Sequence, residues 1–273
     1  VATSNDKAVE GLGTGCMGDS TVCISLGTYT SAMMEGKENL KGTSYAWPKF
    51  SCMPNKYLYD SNGIRRGMWT VSWYRDILGE GYAKLAAEQG MSPEEALGKE
   101  AEQVPVGSDG LMTVLNWLAN VDARYQKGIM IGFDGRHTRG HIYRSILEAV
   151  AMTMKGHVTD MCNEVNAKMD KLIITGGGSN SDLFMQIFAD VFDIPVVRNE
   201  VNGAAGLGSA ICAAVAAGVY DSFESAVEHM VRIKDTFTPI PENVEVYKKM
   251  IPVYSEITKY TDPVLKKSYE IFD

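Results

Sequence analysis

The sequence predicts an α/β fold, and three observations support it. The β-branched run 172–175 leads into the glycines 176–178, and a strongly amphipathic helix pattern follows at once, with Leu183, Phe184, Ile187, Phe188, Val191 and Phe192 on one face. Residues 21–26 alternate as a strand does, and residues 6–12 repeat at helical spacing. A hydrophobic content of 45% and a charged content of 22% are ordinary for a globular protein.

Size and composition exclude several classes of protein. The 273 residues can bury a full core, and the net charge of -8 argues against a nucleic-acid partner. No apolar run reaches the roughly 18 residues of a membrane span, so we expect no membrane partner, and no secretory signal is visible. The five cysteines are scattered without C-x-x-C spacing, which favours a reducing, cytoplasmic location over a disulfide scaffold or a zinc site.

The first elements place an acidic residue at the start of a helix. Val1 to Thr3 have the pattern of a strand end, and residues 6–12 predict a helix with Asp6 in its first turn. The helix dipole alone is a sufficient structural reason for a carboxylate there. Residues 13–18 match G-x-G-x-x-G, but they follow a helix and precede a strand. The dinucleotide fingerprint requires the reverse order, and we reject it.

A β-hairpin follows, with Gly27 and Thr28 at its tip. The strands 21–26 and 31–34 flank this tip, which offers a backbone N–H and a hydroxyl together. Such a pair can hold phosphate oxygens, although most Gly-Thr hairpins hold nothing. Residues 35–67 predict loops with short strands, and residues 68–78 predict a helix.

The middle of the chain contains one clear helix start and one candidate metal pair. Ser92 opens a capping box with proline at the first helical position, and residues 104–118 predict a buried strand after a turn. His137 and His141 precede a long helical pattern at i, i+4 spacing, which could grip a metal. Because no third ligand lies nearby in the sequence, we interpret both histidines as capping and packing residues.

The glycine turn before the amphipathic helix is the most suggestive local motif. Ser181 or Asp182 can cap that helix. The glycines let a ligand approach the backbone, and a helix N-terminus favours phosphate. A tight turn that needs glycine only for its geometry is the alternative.

The last third predicts a strand and then several helices. Residues 194–198 predict the strand, and the small residues 203–217 predict a helix that can lie close to a neighbour. Ser222 caps a further helix, and from Pro241 the pattern is helical, with Pro252 expected to kink or divide it. We expect one domain over residues 1–273, with a core over about 1–235 and a helical tail over about 240–273.

Together these motifs resemble the C-terminal half of the FGGY carbohydrate kinases, such as the xylulokinase-like and glycerol kinase-like members, in the actin/hexokinase-like superfamily. The resemblance covers essentially the whole chain and rests on Asn5-Asp6-Lys7-Ala8 with Gly13 and Gly15, Ser25-Leu26-Gly27-Thr28, Trp73-Tyr74-Arg75-Asp76, Arg136-His137-Thr138-Arg139-Gly140-His141 with Arg144 and Leu147-Glu148, Gly176-Gly177-Gly178 with Met185-Gln186 and Asp190, and Gly203-Ala204-Ala205-Gly206. It implies an actin-like ATPase (ribonuclease H-like) domain with a central mixed sheet flanked by helices, and with C-terminal helices.

The resemblance also implies what this chain lacks. Members of the family look like two-domain proteins of nearly twice this length, whose first domain carries an Asp-x-Gly-Thr hairpin and most sugar contacts. No such motif occurs here, so we expect the second domain alone, without its N-terminal sugar-binding domain. The segment 132–135 is a shortened version of the family's longer, proline-bearing segment.

By the resemblance, this chain would phosphorylate a sugar or polyol hydroxyl with ATP and Mg²⁺, the magnesium arriving with the nucleotide. Asp6 matches the general base, and Lys7 lies where some relatives touch the acceptor. The remaining matched positions would contact the nucleotide: Gly27 and Thr28 at the β- and γ-phosphates, Gly177 and Ser181 at the α-phosphate side and the adenine, Gly178 by close backbone approach, and Gly67 within one residue of another contact.

The expected partners are the small-molecule sugar or polyol and the missing domain of the same protein, and a homodimer stays open. Since half of the cleft would be missing, we expect no kinase activity from this chain alone.

Two other hypotheses are kept. A non-catalytic actin-like nucleotide-binding module would bind ATP without phosphorylating a sugar, although Thr28 beside an intact Asp6 counts against it. A nicotinamide-binding domain would use Glu200 on the ribose, but the glycine spacing disfavours it.

Overall fold

The computed structural model describes residues 4–272, so the strand end expected at Val1 to Thr3 lies outside the described residues. Seven strands form one sheet in the order β3-β4-β2-β1-β7-β8-β9, and two form a separate ribbon, β5-β6. The strands are β1 (Thr21–Leu26), β2 (Thr30–Gly36), β3 (Ala46–Phe50), β4 (Tyr57–Ser61), β5 (Met112–Val114), β6 (Ile129–Ile131), β7 (Lys171–Thr175), β8 (Val196–Asn199) and β9 (Ile233–Phe237). β1 and β8 run parallel to β7, and the other pairs are antiparallel. The predicted central mixed sheet is therefore confirmed.

Nine α-helices accompany these strands within residues 4–272. They are α1 (Asp6–Gly13), α2 (Gly67–Ile77), α3 (Gly79–Glu88), α4 (Pro93–Glu102), α5 (Arg139–Glu164), α6 (Asp182–Phe192), α7 (Ala204–Ala216), α8 (Phe223–Met230) and α9 (Pro241–Phe272). None of the helices in this described part combines the length and the apolar character needed to cross a bilayer.

The sheet separates two layers of helices. Val22, Ile24 and Leu26 of β1 belong to the main core, which also contains buried residues of α5 and α6. The alternate residue Cys23 lies on the opposite face, in a smaller cluster with Ala8 of α1. This division follows from the period of two in a strand, which sends successive side chains to opposite faces.

Glycines let α1 and α7 pack backbone to backbone on that second face. A Cβ atom at Gly13 would lie 1.9 Å from the Ala204 carbonyl oxygen, and one at Gly208 would lie 1.8 Å from the Val9 oxygen. Real Cβ atoms do not fit at such distances, so the small residues of α7 are required by its contact with α1. The predicted close approach of the small-residue helix is confirmed.

Two local predictions were wrong or incomplete. Within residues 104–118 the expected turn forms at Ser108 and Asp109, both with a φ of 52°, and the expected strand follows it but is short, Met112–Val114. Pro252 does not divide the tail, since α9 is one helix that contains both Pro252 and Pro263. Both prolines lie on the exposed side of α9, where water can satisfy the carbonyl groups that they leave without partners.

A buried ionic cluster joins α9 to the core. The Glu148 carboxylate accepts hydrogen bonds from Arg144 Nε (2.9 Å), the Gly107 N–H (2.9 Å), Ser108 Oγ (2.8 Å) and Tyr247 Oη (2.9 Å). Four donors satisfy a carboxylate that has no exposed surface. Burial of an ionised group is tolerated under these conditions, and the cluster anchors Tyr247 of α9 to α5.

Candidate functional site

Two glycine turns meet at one edge of the sheet. β1 and β7 are parallel neighbours with Ser25 opposite Thr175, so their carboxyl ends lie side by side. β1 continues into Gly27 and Thr28, and β7 continues into residues 176–178. Because β1 and β7 are neighbouring parallel strands in the middle of the sheet, the turns that follow them lie side by side although they are distant in the sequence.

The three glycines after β7 have different roles. Gly176 has a φ of 87°, and a Cβ atom on it would lie 2.7 Å from the Leu26 carbonyl oxygen. A Cβ atom on Gly178 would lie 2.9 Å from Leu26 Cδ1. These two positions are therefore fixed by packing against β1. A Cβ atom on Gly177 would meet nothing within 4 Å, so this residue presents bare backbone to open space.

The N-terminus of α2 supports the hairpin tip from behind. The Gly67 N–H donates to the Thr28 carbonyl oxygen at 2.9 Å, and the Met68 N–H donates to the Gly27 carbonyl oxygen at 3.2 Å. Within residues 4–272, the N–H groups of Gly27 and Thr28 and the Thr28 hydroxyl have no partner. The tip therefore holds free donors beside the positive end of the α2 dipole, an arrangement that suits anionic oxygens.

Gly67 has a structural role at the start of α2. A Cβ atom there would lie 2.2 Å from Thr30 Oγ1, so only glycine lets α2 begin against β2. Gly67 is buried and is not among the residues that line the cavity described next. Its contact is with the hairpin, through the bond to Thr28.

A cavity of about 750 Å³ opens between the two turns and the helices α2, α4 and α5. Five of the seven predicted site residues line it, namely Gly27, Thr28, Gly177, Gly178 and Ser181. Met68, Tyr143 and Leu147 provide apolar surface. A second cleft of about 580 Å³ lies at the opposite edge of the sheet, and none of the predicted site residues lines it.

The rim of the cavity is polar and acidic. Ser181 caps α6 by accepting from the Phe184 N–H at 3.3 Å, so the positive end of that helix faces the cavity. Glu94, Glu95, Glu102 and Asp182 also line it, with Lys99 paired to Glu102 at 3.3 Å. Hydrogen bonds from Ser92 hold the pKa of Glu95 below its usual value. Burial raises the pKa of Tyr143 far above its usual value, so that phenol stays neutral.

Asp6 lies at the same edge of the sheet but on the other face. α1 runs antiparallel to β1, because Cys16 Sγ donates to the Thr21 oxygen (3.5 Å) and Ser25 Oγ donates to Glu10 Oε1 (2.6 Å). The first turn of α1 therefore lies at the carboxyl end of β1, one helical turn beyond Glu10. Asp6 is exposed and is not among the residues lining the cavity.

Capping explains why the Asp6 carboxylate is exposed. The N-cap of α1 is Asn5, whose Oδ1 accepts from the Ala8 N–H at 2.9 Å. Among the described residues, the adjacent Lys7 N–H, at 2.9 Å, is the one donor to Asp6 Oδ1. The Lys7 ammonium group pairs with Glu10 at 3.2 Å rather than with Asp6. The helix therefore does not require the Asp6 side chain as its cap.

The histidine pair has the packing role that the sequence predicted. The rings of His137 and His141 meet edge to face with centroids 5.2 Å apart, and His141 completes a capping box with Thr138. His141 Nε2 lies 3.2 Å from Asp109 Oδ2. In the described residues, no group of three or more His, Cys, Asp or Glu side chains is arranged to hold a metal ion.

The sequence did not assign α4 to this site. Ser92, Gly98 and Lys99 line the cavity, although they follow Thr28 by more than 60 residues. The only local signal was the capping box at Ser92, which indicates where a helix begins but not what it faces. Their position depends on the packing of α4 against α5, where a Cβ atom at Gly140 would lie 2.7 Å from the Glu100 oxygen.

Comparison with known proteins defines the family. The model of the C-terminal domain of the FGGY family of carbohydrate kinases matches residues 22–217. Over 99% of its length, the chain is 53% identical to the "Uncharacterized sugar kinase YgcE" of Escherichia coli (strain K12), and over 98% it is 26% identical to a xylulose kinase of Lactococcus lactis. The chain therefore belongs to the FGGY family of carbohydrate kinases, in which it corresponds to the C-terminal domain.

Solved structures show the same fold. A xylulose kinase from Rhodospirillum rubrum superposes with a TM-score of 0.80 at 25% identity, covering 96% of this chain and 51% of that protein. A Plasmodium falciparum glycerol kinase solved with ADP superposes with a TM-score of 0.76 at 19% identity, covering 94% of this chain and 50% of that protein. The actin-like fold is confirmed. The chain spans about half the length of the curated relatives it matches, 55% of the first and 52% of the second.

Proposed function

We propose that this chain is the nucleotide-binding half of a kinase that transfers the γ-phosphoryl group of ATP to a hydroxyl of a sugar or polyol, with Asp6 as general base. One observation carries the proposal. The two glycine turns line a single cavity at the carboxyl edge of the sheet, and Asp6 begins a helix at that same edge.

The nucleotide would cross this edge from one face of the sheet to the other. The cavity offers apolar surface from Met68 and Leu147 for the adenosine, while Gly177 admits the ligand close to the backbone. The free N–H groups of Gly27 and Thr28 would then hold phosphate oxygens. This path directs the terminal phosphate toward the face on which α1 lies.

Magnesium would enter with the ATP. The carboxylates on the rim outnumber the cations there, so the negative charge of a triphosphate calls for a bound cation. Thr28, whose hydroxyl has no hydrogen-bond partner among the described residues, lines the cavity and could contact the hydrated ion, whereas the Asp182 carboxylate is paired with Arg198 at 2.9 Å. When bound, the ion would neutralise charge on the phosphate oxygens.

Asp6 would remove the proton from the attacking hydroxyl. Phosphoryl transfer depends mainly on positioning and charge neutralisation, and a carboxylate within hydrogen-bond reach assists the nucleophile. Within residues 4–272 the exposed Asp6 side chain forms no salt bridge, since Lys7 is paired with Glu10. A substrate hydroxyl could therefore reach it directly.

The names of the relatives suggest the class of substrate. The similar proteins include xylulose kinases and a ribulokinase, so a sugar or polyol is the expected acceptor. Most contacts to it would come from the other half of the complete protein. We therefore expect this chain alone to bind nucleotide without phosphorylating a sugar.

The test is Asp6→Asn in the complete protein, assayed with ATP against a panel of sugars and polyols. Asparagine keeps the shape but cannot take the proton, so kcat should fall by about 10²- to 10⁴-fold while ATP affinity is retained. Glu242→Gln, in the exposed first turn of α9, is the matched control and should leave the rate unchanged. A rate within a few-fold of wild type for Asp6→Asn would refute the base assignment. ATP binding without phosphorylation of any panel member would favour the non-catalytic module.

A further inference from the structure

Arg198, in strand β8, connects the glycine turn after β7 to two other elements. Its Nη1 donates to the Ser179 carbonyl oxygen at 2.8 Å. Its Nη2 pairs with Asp182, in the first turn of α6, at 2.9 Å. Nε donates to Asp235 of the edge strand β9 at 2.9 Å, and Nη2 donates to the same carboxylate oxygen. One buried cation therefore joins the turn, α6 and β9.

The bond from Arg198 satisfies the end of a very short helix. Gly177–Asn180 form a single 3₁₀ turn, in which the Ser179 N–H donates to the Gly176 carbonyl oxygen at 3.0 Å. Carbonyl groups at the end of a helix lack intrahelical partners, and one turn is too short to be stable by itself. Because Ser179 is buried, loss of the arginine would leave its carbonyl group without a donor.

The other sides of the turn are either packed against β1 or open. Cβ atoms on Gly176 and Gly178 would lie 2.7 and 2.9 Å from atoms of Leu26, whereas one on Gly177 would meet nothing within 4 Å. Arg198 holds the turn from inside the protein, since it is 7% exposed and does not line the cavity. It is therefore not a ligand contact, and any effect that it has on binding must pass through the turn.

We infer that Arg198 is a positioning residue for nucleotide binding, which keeps the backbone of Gly177 and Gly178 in the conformation that receives the ligand. The inference rests on the nucleotide site proposed above. Asp235 supports this role, because its bonds to Nε and Nη2 fix the plane of the guanidinium group and direct Nη1 at the Ser179 oxygen. Arginine suits the position because its rigid, planar fork can serve several acceptors at once.

Isothermal titration of the 273-residue chain with Mg·ADP tests the inference. Arg198→Gln should weaken binding about tenfold, as expected if the competent turn is populated about one tenth of the time. Arg198→Lys keeps the charge but not the fork, so it should weaken binding by about three- to tenfold. Asp235→Asn should weaken binding about threefold but add nothing to Arg198→Gln, because both residues act through the same bond to Ser179.

Two measurements separate positioning from a general loss of stability. Gly208→Ala, which disturbs the contact of α1 with α7, should bind Mg·ADP as wild type does at temperatures where it is folded. Without ligand, Arg198→Gln should speed amide hydrogen exchange at Ser179 and Ser181 by at least about tenfold, since their N–H groups close the turn at 3.0 and 3.3 Å. Exchange of the β7 amides, which requires global unfolding, measures the change in stability separately.

Three results would contradict the inference. Binding of Mg·ADP by Arg198→Gln and Asp235→Asn within twofold of wild type would overturn the positioning role and leave the nucleotide site standing. Equal weakening by Gly208→Ala would also overturn that role, because affinity would then follow stability alone. A wild-type chain that does not bind Mg·ADP would overturn the proposed function and this inference with it. If Arg198→Gln does not fold, Arg198→Lys and Asp235→Asn decide the question.

Discussion

Replacement of Gly177 by alanine separates ligand binding from folding. The added methyl group meets no protein atom within 4 Å, so it costs the folded state nothing through contact. The methyl group would occupy the open side of the turn, where we place the nucleotide. The methyl group should therefore hinder the close approach of the ligand to the backbone.

The expected loss of affinity follows from the hydrogen bond to the nucleotide that the methyl group would disrupt. Loss of one hydrogen bond between a backbone N–H and a charged phosphate oxygen costs about 1.5–3 kcal/mol. This corresponds to roughly 10- to 100-fold weaker binding. Alanine also restricts the unfolded chain, so the free energy of unfolding should stay level or rise by about 0.4–1 kcal/mol.

Gly176→Ala is the matched contrast in the same turn. Gly176 has a φ of 87°, and a Cβ atom would lie 2.7 Å from the Leu26 oxygen, so this variant should lose stability. Isothermal titration with Mg·ADP and thermal unfolding measure both quantities on the isolated chain. If Gly177→Ala bound Mg·ADP within twofold of wild type while remaining folded, the reasoning about the open glycine would be refuted.

Three further substitutions test the packing of the fold and the pH dependence of its stability. Gly208→Ala should destabilise the chain by about 3 kcal/mol, because the new methyl group would lie 1.8 Å from the Val9 carbonyl oxygen. Gly206→Ala is the control in the same helix: its methyl group would meet no atom within 4 Å, and it should stabilise the chain by about 0.5–1 kcal/mol. Equal melting temperatures for the two variants would contradict the packing of α1 on α7. Burial lowers the pKa of His157, so the unfolded chain binds its proton more readily. The free energy of unfolding should therefore fall as pH drops below about 6.5, and denaturant titrations should show a weaker fall for His157→Gln.

Local sequence signals were enough to predict most strands of the central sheet. The hairpin tip at Gly27 and the turn at Gly177 were visible because glycine and an abrupt change of period coincide there. Ile233–Phe237 carries no such signal, since the edge strand β9 alternates between exposed and half-exposed residues and contains Lys234 and Asp235. Its pairing with β8 arises only when the sheet assembles.

The site was predicted in part for the same reason. The two glycine turns follow strands and need special backbone, so they leave a local mark. Gly67 stays a prediction, since it does not line the cavity while its neighbour Met68 does, and its close contact with Thr30 is by itself a sufficient reason for a glycine. The contribution of α4 could not be predicted either, since it depends on helix packing between segments 40 residues apart.

The central claim is that both glycine turns hold one nucleotide. The most direct measurement is a titration of the ¹⁵N-labelled chain with Mg·ADP, followed through its amide resonances. We expect the amide resonances of Gly27, Thr28, Gly177 and Gly178 to shift together along one saturation curve, while those of α9 stay in place. Saturable binding that leaves either turn unperturbed would contradict it.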